Sequence, residues 1–171
     1  MTKKLCFDKQ CINADLVIKA LLFLSLVLLP VRGYALGVGD KSPDFQAVTI
    51  KGEKISYNRD LKGRKPVYLV FWTTWCPYCK VELPQVEKLY TEYGDRVEFI
   101  GVSLGIKKDI DDFIRKKHLS FPIVYDEGNR IAEAFGAQIQ TNILIDKRGV
   151  IVYKEKGFEE ETAKRLRELS K

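Results

Sequence analysis

The chain contains a single histidine, His118, among its 171 residues. A zinc site needs about four nitrogen, sulfur or carboxylate ligands, and His118 has no second ligand at zinc-like spacing, so we interpret it as a surface or capping residue. The haem-attachment signature Cys-x-x-Cys-His is also missing, because Lys80 follows Cys79. We therefore expect neither a metal site nor a cofactor.

The sequence also lacks an apolar run that is long enough to span a membrane. The apolar run at residues 20–31 is shorter than the ~18 residues of a transmembrane helix, and no cysteine stands directly after it to carry a lipid. Lysines precede the run and small residues, Gly33 and Ala35, follow it, which is the order of a secretory signal. We expect residues 1–35 to be a signal peptide, with a retained membrane anchor as the alternative. The protein would then be periplasmic, or anchored facing the periplasm.

No strong excess of charge of one sign remains in residues 36–171, which hold 24 Lys and Arg against 21 Asp and Glu, a net charge of +3. The basic run at 115–117 ends a helical pattern that acidic residues open, which complements the helix dipole. We therefore expect no nucleic-acid partner. The length allows one domain, residues 36–171.

Strand and helix patterns alternate along this domain. Residues 67–73 form a continuous β-prone apolar run, typical of a central strand that is covered on both faces. The pattern predicts an α/β fold: a central mixed sheet with helices on both faces and an N-terminal β-hairpin. The predicted strands are 45–50, 54–56, 67–73, 97–103, 123–125, 142–146 and 150–155, and the predicted helices are 77–93, 109–117, 129–135 and 159–169.

The motif Cys76-Pro77-Tyr78-Cys79 joins the central strand to a helical pattern. Two thiols come within bonding distance there, because the second lies in the first helical turn. At a helix N-terminus the free N–H groups and the dipole favour a Cys76 thiolate, and Pro77 suits the first helical position. Cys79 falls on the apolar stripe of the helix. The motif predicts a redox dithiol in which Cys76 attacks and Cys79 resolves, although a permanent structural disulfide is an alternative.

The segments 39–45, 70–84 and 144–149 resemble the TlpA/ResA-like thiol-disulfide oxidoreductases, a branch of the thioredoxin superfamily related to the AhpC/TSA fold. The resemblance covers residues 39–171 and implies a thioredoxin-like fold. It implies that Cys76 is the nucleophile, that Cys79 resolves, and that Trp75 packs beside them. It also implies a reductant of exported disulfide-containing proteins, such as apocytochrome c, supplied by a membrane thiol donor. We expect a monomer.

The resemblance also marks positions around the motif. Glu82 matches the active-site glutamate of the family and lies one helical turn after Cys79, where it could exchange a proton with that thiol, or it is a surface glutamate. Thioredoxins carry a buried aspartate where this chain has Val70. The cis-proline and threonine of the family correspond to Gln140 and Thr141, and we expect a trans peptide before Gln140 because a cis bond there costs ~2.5–4 kcal/mol.

Two other functions share the motif. A peroxiredoxin-type peroxidase carries a threonine three residues before its cysteine, as Thr73 precedes Cys76, but it also requires a proline where Leu69 stands. A soft-metal carrier, for copper, would use the two thiolates without the shielding of a cis-proline. We expect a thiol-disulfide oxidoreductase, with these two as alternatives.

Overall fold

The computed structural model describes residues 4–7, 10–13, 18–19 and 36–171, and the chain divides into two units, Met1–Tyr34 and Ala35–Lys171. In the first unit, β1 (Lys4–Phe7) and β2 (Gln10–Asn13) pair antiparallel. The predicted leader features, the run at 20–31 with Gly33 and Ala35, lie outside the described residues. No helix within the described ranges is long and apolar enough to cross a membrane.

The second unit follows the predicted alternation closely. Its strands are β3 (Gln46–Val48), β4 (Lys54–Ser56), β5 (Val67–Trp72), β6 (Glu98–Ser103), β7 (Ile123–Tyr125), β8 (Thr141–Ile145) and β9 (Ile151–Lys156). Its α-helices are α1 (Pro77–Tyr93), α2 (Lys107–Lys117), α3 (Arg130–Phe135) and α4 (Glu160–Leu169).

Five of these strands form one mixed sheet in the order β7-β6-β5-β8-β9. β5, β6 and β7 run parallel, because α1 and α2 carry the chain back between them, whereas β8 and β9 are antiparallel to their neighbours. The predicted mixed sheet and the hairpin, here β3 and β4, are confirmed.

The side chains of β5 point alternately to the two faces of the sheet, and both faces are covered by helices. All six β5 residues are buried, and successive side chains enter two different cores. Tyr68, Val70 and Trp72 pack in the core that also holds buried residues of α1, α2 and α4. Val67, Leu69 and Phe71 pack in the core with α3 and the hairpin region. β5 is the central strand and is packed on both faces, so the turn that follows it is held at the middle of one edge of the sheet.

Three helices begin at slightly different residues from those predicted. α2 begins at Lys107, two residues before the predicted Asp109, so that Asp109 lies within the first turn, where a carboxylate complements the helix dipole. α3 begins at Arg130, since Gly128 and Asn129 adopt left-handed backbone angles that a helix excludes. α4 begins at Glu160, one residue after the predicted Glu159, because Glu159 is its N-cap. None of these three differences moves the motif.

Candidate active site

The turn between β5 and α1 holds the two thiols. Cys76 is the N-cap of α1, with extended backbone angles (φ −75°, ψ 114°), and Pro77 is its first helical residue. The proline has no N–H to leave unpaired, which fits this position. Cys79 lies in the first turn, and its backbone N–H donates to Cys76 Sγ at 3.2 Å. Both cysteines are free thiols in this structure.

Cys76 Sγ accepts a second hydrogen bond, from the side-chain amide of Gln140, with an Nε2–Sγ distance of 3.3 Å. Burial acts to raise the pKa of the Cys76 thiol, since only 2% of the residue is exposed. The donors around the sulfur outweigh burial, however, and the net effect lowers this pKa below its ordinary value. The arrangement therefore favours a thiolate at Cys76.

Cys79 has the opposite environment. Its side chain is fully buried in the core beneath α1. Burial, followed by the hydrogen bond to Cys76, raises the pKa of the Cys79 thiol to about 12. At neutral pH one sulfur is prepared to be an anion and the other keeps its proton, which is the asymmetry that a two-step thiol exchange needs.

Glu82 is buried rather than on the surface, with 2% of the residue exposed. Its Oε1 accepts a hydrogen bond of 2.7 Å from Asn142 Nδ2, and the Tyr68 hydroxyl donates to Asn142 Oδ1. The other carboxylate oxygen, Oε2, is buried without a hydrogen-bond partner among the described residues. Burial raises the pKa of Glu82, and the hydrogen bond from Asn142 offsets only part of that effect.

The register of the sheet brings these three polar groups together. Asn142 on β8 lies opposite Val70 on β5, and Tyr68 lies two residues before Val70, so Tyr68 and Asn142 project from the same face. That face is covered by α1, which carries Glu82. Asn142 and Tyr68 were not among the residues predicted from the sequence. The signal that could have revealed Asn142 is an amide opening an otherwise apolar strand.

The loop before β8 carries Gln140 and Thr141. Thr141 is buried, and its hydroxyl accepts from the backbone N–H of Gln138 at 2.9 Å, so it stabilises the loop. The described residues contain no cis peptide bond, and the bond before Gln140 is accordingly trans, as predicted.

The surface beside the motif is apolar. Trp75, Tyr78 and Val81 are 65–68% exposed. Trp75, which the resemblance places beside the cysteines, directly precedes Cys76 and keeps most of its side chain in solvent. Trp75 lies in the turn before α1, whereas Trp72, at the end of β5, is the tryptophan that is buried in the core. Together the three side chains form an exposed apolar rim next to Cys76.

Thr73, on which the peroxidase alternative depends, is fully buried. Thr73 Oγ1 makes no hydrogen bond with Cys76 and lies against Gly105, where an added Cβ would come within 3.3 Å of it. No group of three or more His, Cys, Asp and Glu side chains is positioned to hold a metal ion within the described ranges. His118 is exposed and ends α2 in a left-handed conformation, which is the capping position predicted for it.

A five-stranded mixed sheet with helices on both faces, and two unequal thiols at the start of a helix, define a thioredoxin-like thiol-disulfide oxidoreductase. The AhpC/TSA family model matches residues 38–154. The chain belongs to this family and resembles its ResA-like members.

Individual relatives support the same class. The thiol-disulfide oxidoreductase ResA of Bacillus thuringiensis is 36% identical over 138 residues, which cover 78% of this chain and 77% of that protein. The crystal structure of StoA from Bacillus subtilis is 33% identical with a TM-score of 0.65, covering 81% of this chain and 100% of that one. The thioredoxin domain of a thiol-disulfide oxidoreductase from Bacteroides vulgatus is 26% identical with a TM-score of 0.69, covering 78% and 99%.

Proposed function

We propose that this oxidoreductase works outside the cytoplasmic membrane and reduces disulfides of exported proteins through Cys76 and Cys79. The observation that carries the proposal is the asymmetry of the two thiols. Cys76 lies at a helix N-terminus among hydrogen-bond donors, with a lowered pKa, whereas Cys79 is fully buried and its pKa is raised to about 12. The signal-like pattern of residues 1–35 and the family resemblance support the compartment.

The reaction begins at Cys76. Its thiolate attacks one sulfur of the substrate disulfide, the sulfur–sulfur bond of the substrate breaks, and a mixed disulfide forms. The departing substrate thiolate takes a proton from water. The exposed rim of Trp75, Tyr78 and Val81 offers an apolar surface on which the polypeptide around the disulfide can pack.

Cys79 completes the reaction. Once Cys76 is in the mixed disulfide, its negative charge and its hydrogen bond to Cys79 are gone, and both had helped to raise the pKa of Cys79. The Cys79 thiol therefore loses its proton more readily. Its thiolate attacks Cys76 Sγ, the second substrate thiolate leaves and is protonated, and two electrons have passed from the dithiol to the substrate. A membrane thiol donor then returns the enzyme to the dithiol form.

Glu82 is the proton acceptor for Cys79 in this proposal. It lies one helical turn beyond Cys79 on α1, and its unpaired Oε2 is available to take the proton directly or through a water molecule. Burial raises the pKa of Glu82 and so makes it a better base than an exposed glutamate. The proton passes from Glu82 to solvent when the products leave.

The compartment is tested in the full chain with Cys6 and Cys11 changed to serine, so that only the motif thiols react. A charged, membrane-impermeant methanethiosulfonate should label these thiols in intact cells whose cytoplasmic membrane is closed. The matched control is the same chain with Cys76→Ser and Cys79→Ser, which should take no label. Labelling that occurs only after lysis would contradict export.

Substrate class and direction need two further measurements. The Cys79→Ser variant should stop at the mixed disulfide and accumulate adducts with exported proteins, whereas Cys76→Ser should accumulate none. Adducts with cytoplasmic proteins alone would refute the proposed substrates. Thioredoxin-like couples span ~−270 to −120 mV, and equilibration with glutathione should put this pair toward the reducing end. A value near the oxidising end would rule out a reductant.

A further inference from the structure

We propose that the side-chain amide of Gln140 is a catalytic group, which holds the Cys76 thiolate through an N–H to sulfur hydrogen bond and controls how readily that sulfur attacks. Gln140 is 64 residues from Cys76 in sequence, yet its Nε2 lies 3.3 Å from Cys76 Sγ. The inference depends on the part of the proposed function that assigns the attack to Cys76. It does not depend on the compartment or on the direction of electron flow.

The backbone of Gln140 is held in an uncommon conformation. Its φ of +73° lies in the left-handed region, which is strained for a residue with a side chain. Two strong hydrogen bonds maintain it: the Gln140 N–H donates to the carbonyl of Phe71 at 2.7 Å, and the Gln140 carbonyl accepts from the N–H of Gly157 at 2.7 Å. The main chain is therefore fixed on both sides, and the side chain starts from a defined point.

This loop is not a cis-proline loop with the proline removed. A proline at position 140 would have no N–H to donate to Phe71, and its φ near −65° is incompatible with +73°. The residue needed here has a backbone N–H and tolerates a positive φ. Glutamine meets the first requirement and in addition brings an amide donor long enough to reach the sulfur.

Asn142 positions Gln140 from the core. Its Nδ2 donates to the Gln140 carbonyl at 3.1 Å and to Glu82 Oε1 at 2.7 Å, and Tyr68 holds its carbonyl oxygen. Asn142 is fully buried, so this arrangement is fixed by packing. The same amide thus joins the loop that touches Cys76 to the carboxyl group that lies near Cys79. We assign Asn142 a positioning role.

The hydrogen bond from Gln140 is strongest in one chemical state. A thiolate is a good acceptor, whereas a sulfur in a disulfide carries no charge and accepts weakly. The bond therefore stabilises the reduced enzyme before the attack and is lost when Cys76 forms the mixed disulfide. It increases the thiolate fraction, and it also makes the pair less reducing than it would be without the amide.

The test replaces Gln140 by methionine in the full chain with Cys6 and Cys11 changed to serine. Methionine has the same length and meets the same backbone strain, but it has no N–H. The thiolate fraction at pH 7 should fall about tenfold, the usual effect of one hydrogen bond to a charged group. The remaining thiolate is about threefold more nucleophilic because its pKa is higher, so alkylation by iodoacetamide should slow about threefold. The alkylation rate against pH gives the pKa of Cys76 directly.

Two further variants make the test decisive. Gln140→Glu keeps the length but is an anion at pH 7–8, so it should raise the pKa of Cys76 more than methionine does. Gln138→Met makes the same chemical change two residues away, at an exposed side chain, and should leave the alkylation profile unaltered. An unchanged pKa of Cys76 in Gln140→Met, or an equal change in Gln138→Met, would overturn the proposal. The thiol labelling in cells can succeed or fail independently of this result.

Discussion

Glu82 illustrates how one residue can serve chemistry at the expense of stability. It is buried, and only one of its two carboxylate oxygens has a hydrogen-bond partner in the part of the chain that the structure describes. Burying such a group without full hydrogen bonding is unfavourable when it is ionised, and this is why its pKa is raised. A residue in this state is a poor structural element and a suitable proton acceptor.

Replacing Glu82 by glutamine should therefore stabilise the folded protein at pH 7.5, by about 1–2 kcal/mol, because an under-paired buried charge is removed. Since the folded-state pKa of Glu82 is raised, its favourable contribution is complete below its ordinary value of 4.5 and is lost as the pH rises through the folded value. The gain in stability should accordingly disappear below pH 4.5. Urea unfolding of the reduced protein at the two pH values measures it.

The control for this prediction is Glu133→Gln, at an exposed position on α3, which should change stability little at either pH. The same Glu82→Gln protein should resolve mixed disulfides more slowly, since it cannot accept the Cys79 proton. A variant that is no more stable at pH 7.5 than the parent would show that Glu82 is not a strained carboxylate.

At the scale of elements, the site depends on how tightly β5, β6 and α1 pack. α1 begins directly after Cys76 because β5 ends at Trp72 and the sheet holds that end in place. On β6, Gly101 lies opposite Val70 and leaves room for Trp72 and for side chains from the region of β7. The absence of a side chain at this position is thus a packing requirement of the central sheet.

Gly101→Ala should destabilise the domain by about 1–3 kcal/mol, the usual cost of adding a methyl group to a full core. An added Cβ would lie 2.8 Å from Phe121 Cε2, 3.1 Å from Ile123 Cγ1 and 3.2 Å from Trp72 Nε1. Gly37→Ala is the matched control, because its Cβ would meet nothing closer than 3.9 Å. Thermal unfolding of both variants makes the comparison, and equal midpoints would refute the packing argument.

At the scale of the whole molecule, the two thiols link folding to pH and to redox state. Every other titrating group is common to the reduced and oxidised forms, so the pH dependence of the difference between their free energies of unfolding comes from Cys76 and Cys79. The lowered pKa of Cys76 and the raised pKa of Cys79 change the stability of the reduced form in opposite directions as the pH rises. The pH range of each effect is set by the difference between the folded-state pKa and the ordinary thiol pKa of 9.0.

The stability of the reduced form relative to the oxidised form should rise with pH up to about 9 and fall above it. The lowered pKa of Cys76 contributes stability that is complete above its ordinary value and is lost as the pH falls through its folded value. The raised pKa of Cys79 gives a contribution that is lost as the pH rises from 9.0 toward about 12. Denaturation of both forms from pH 6 to 10 tests this, and a flat difference would contradict it. The protein with Cys76→Ser and Cys79→Ser should show no redox-dependent difference.

Much of the fold could be predicted from local pattern. The apolar run that became β5, the stripe of α1 and the turn residues between elements are each encoded within a few neighbouring residues, and their bounds shifted by only one or two positions. The shift at the start of α3 has a local cause, which is the left-handed backbone angles of Gly128 and Asn129. Pattern could not tell whether Glu82 was buried, because a glutamate on a charged helix looks the same in either case.

The dithiol, its place at the start of a helix and the class of fold can be read from the sequence, because each depends on local patterns of neighbouring residues. The groups around the two sulfurs depend on the tertiary structure. Gln140 reaches Cys76, and Asn142 joins Gln140 to Glu82, because the register between β5 and β8 brings residues 60 and 64 positions apart within hydrogen-bond distance. Register is a property of the assembled sheet, and no short segment of the chain contains it.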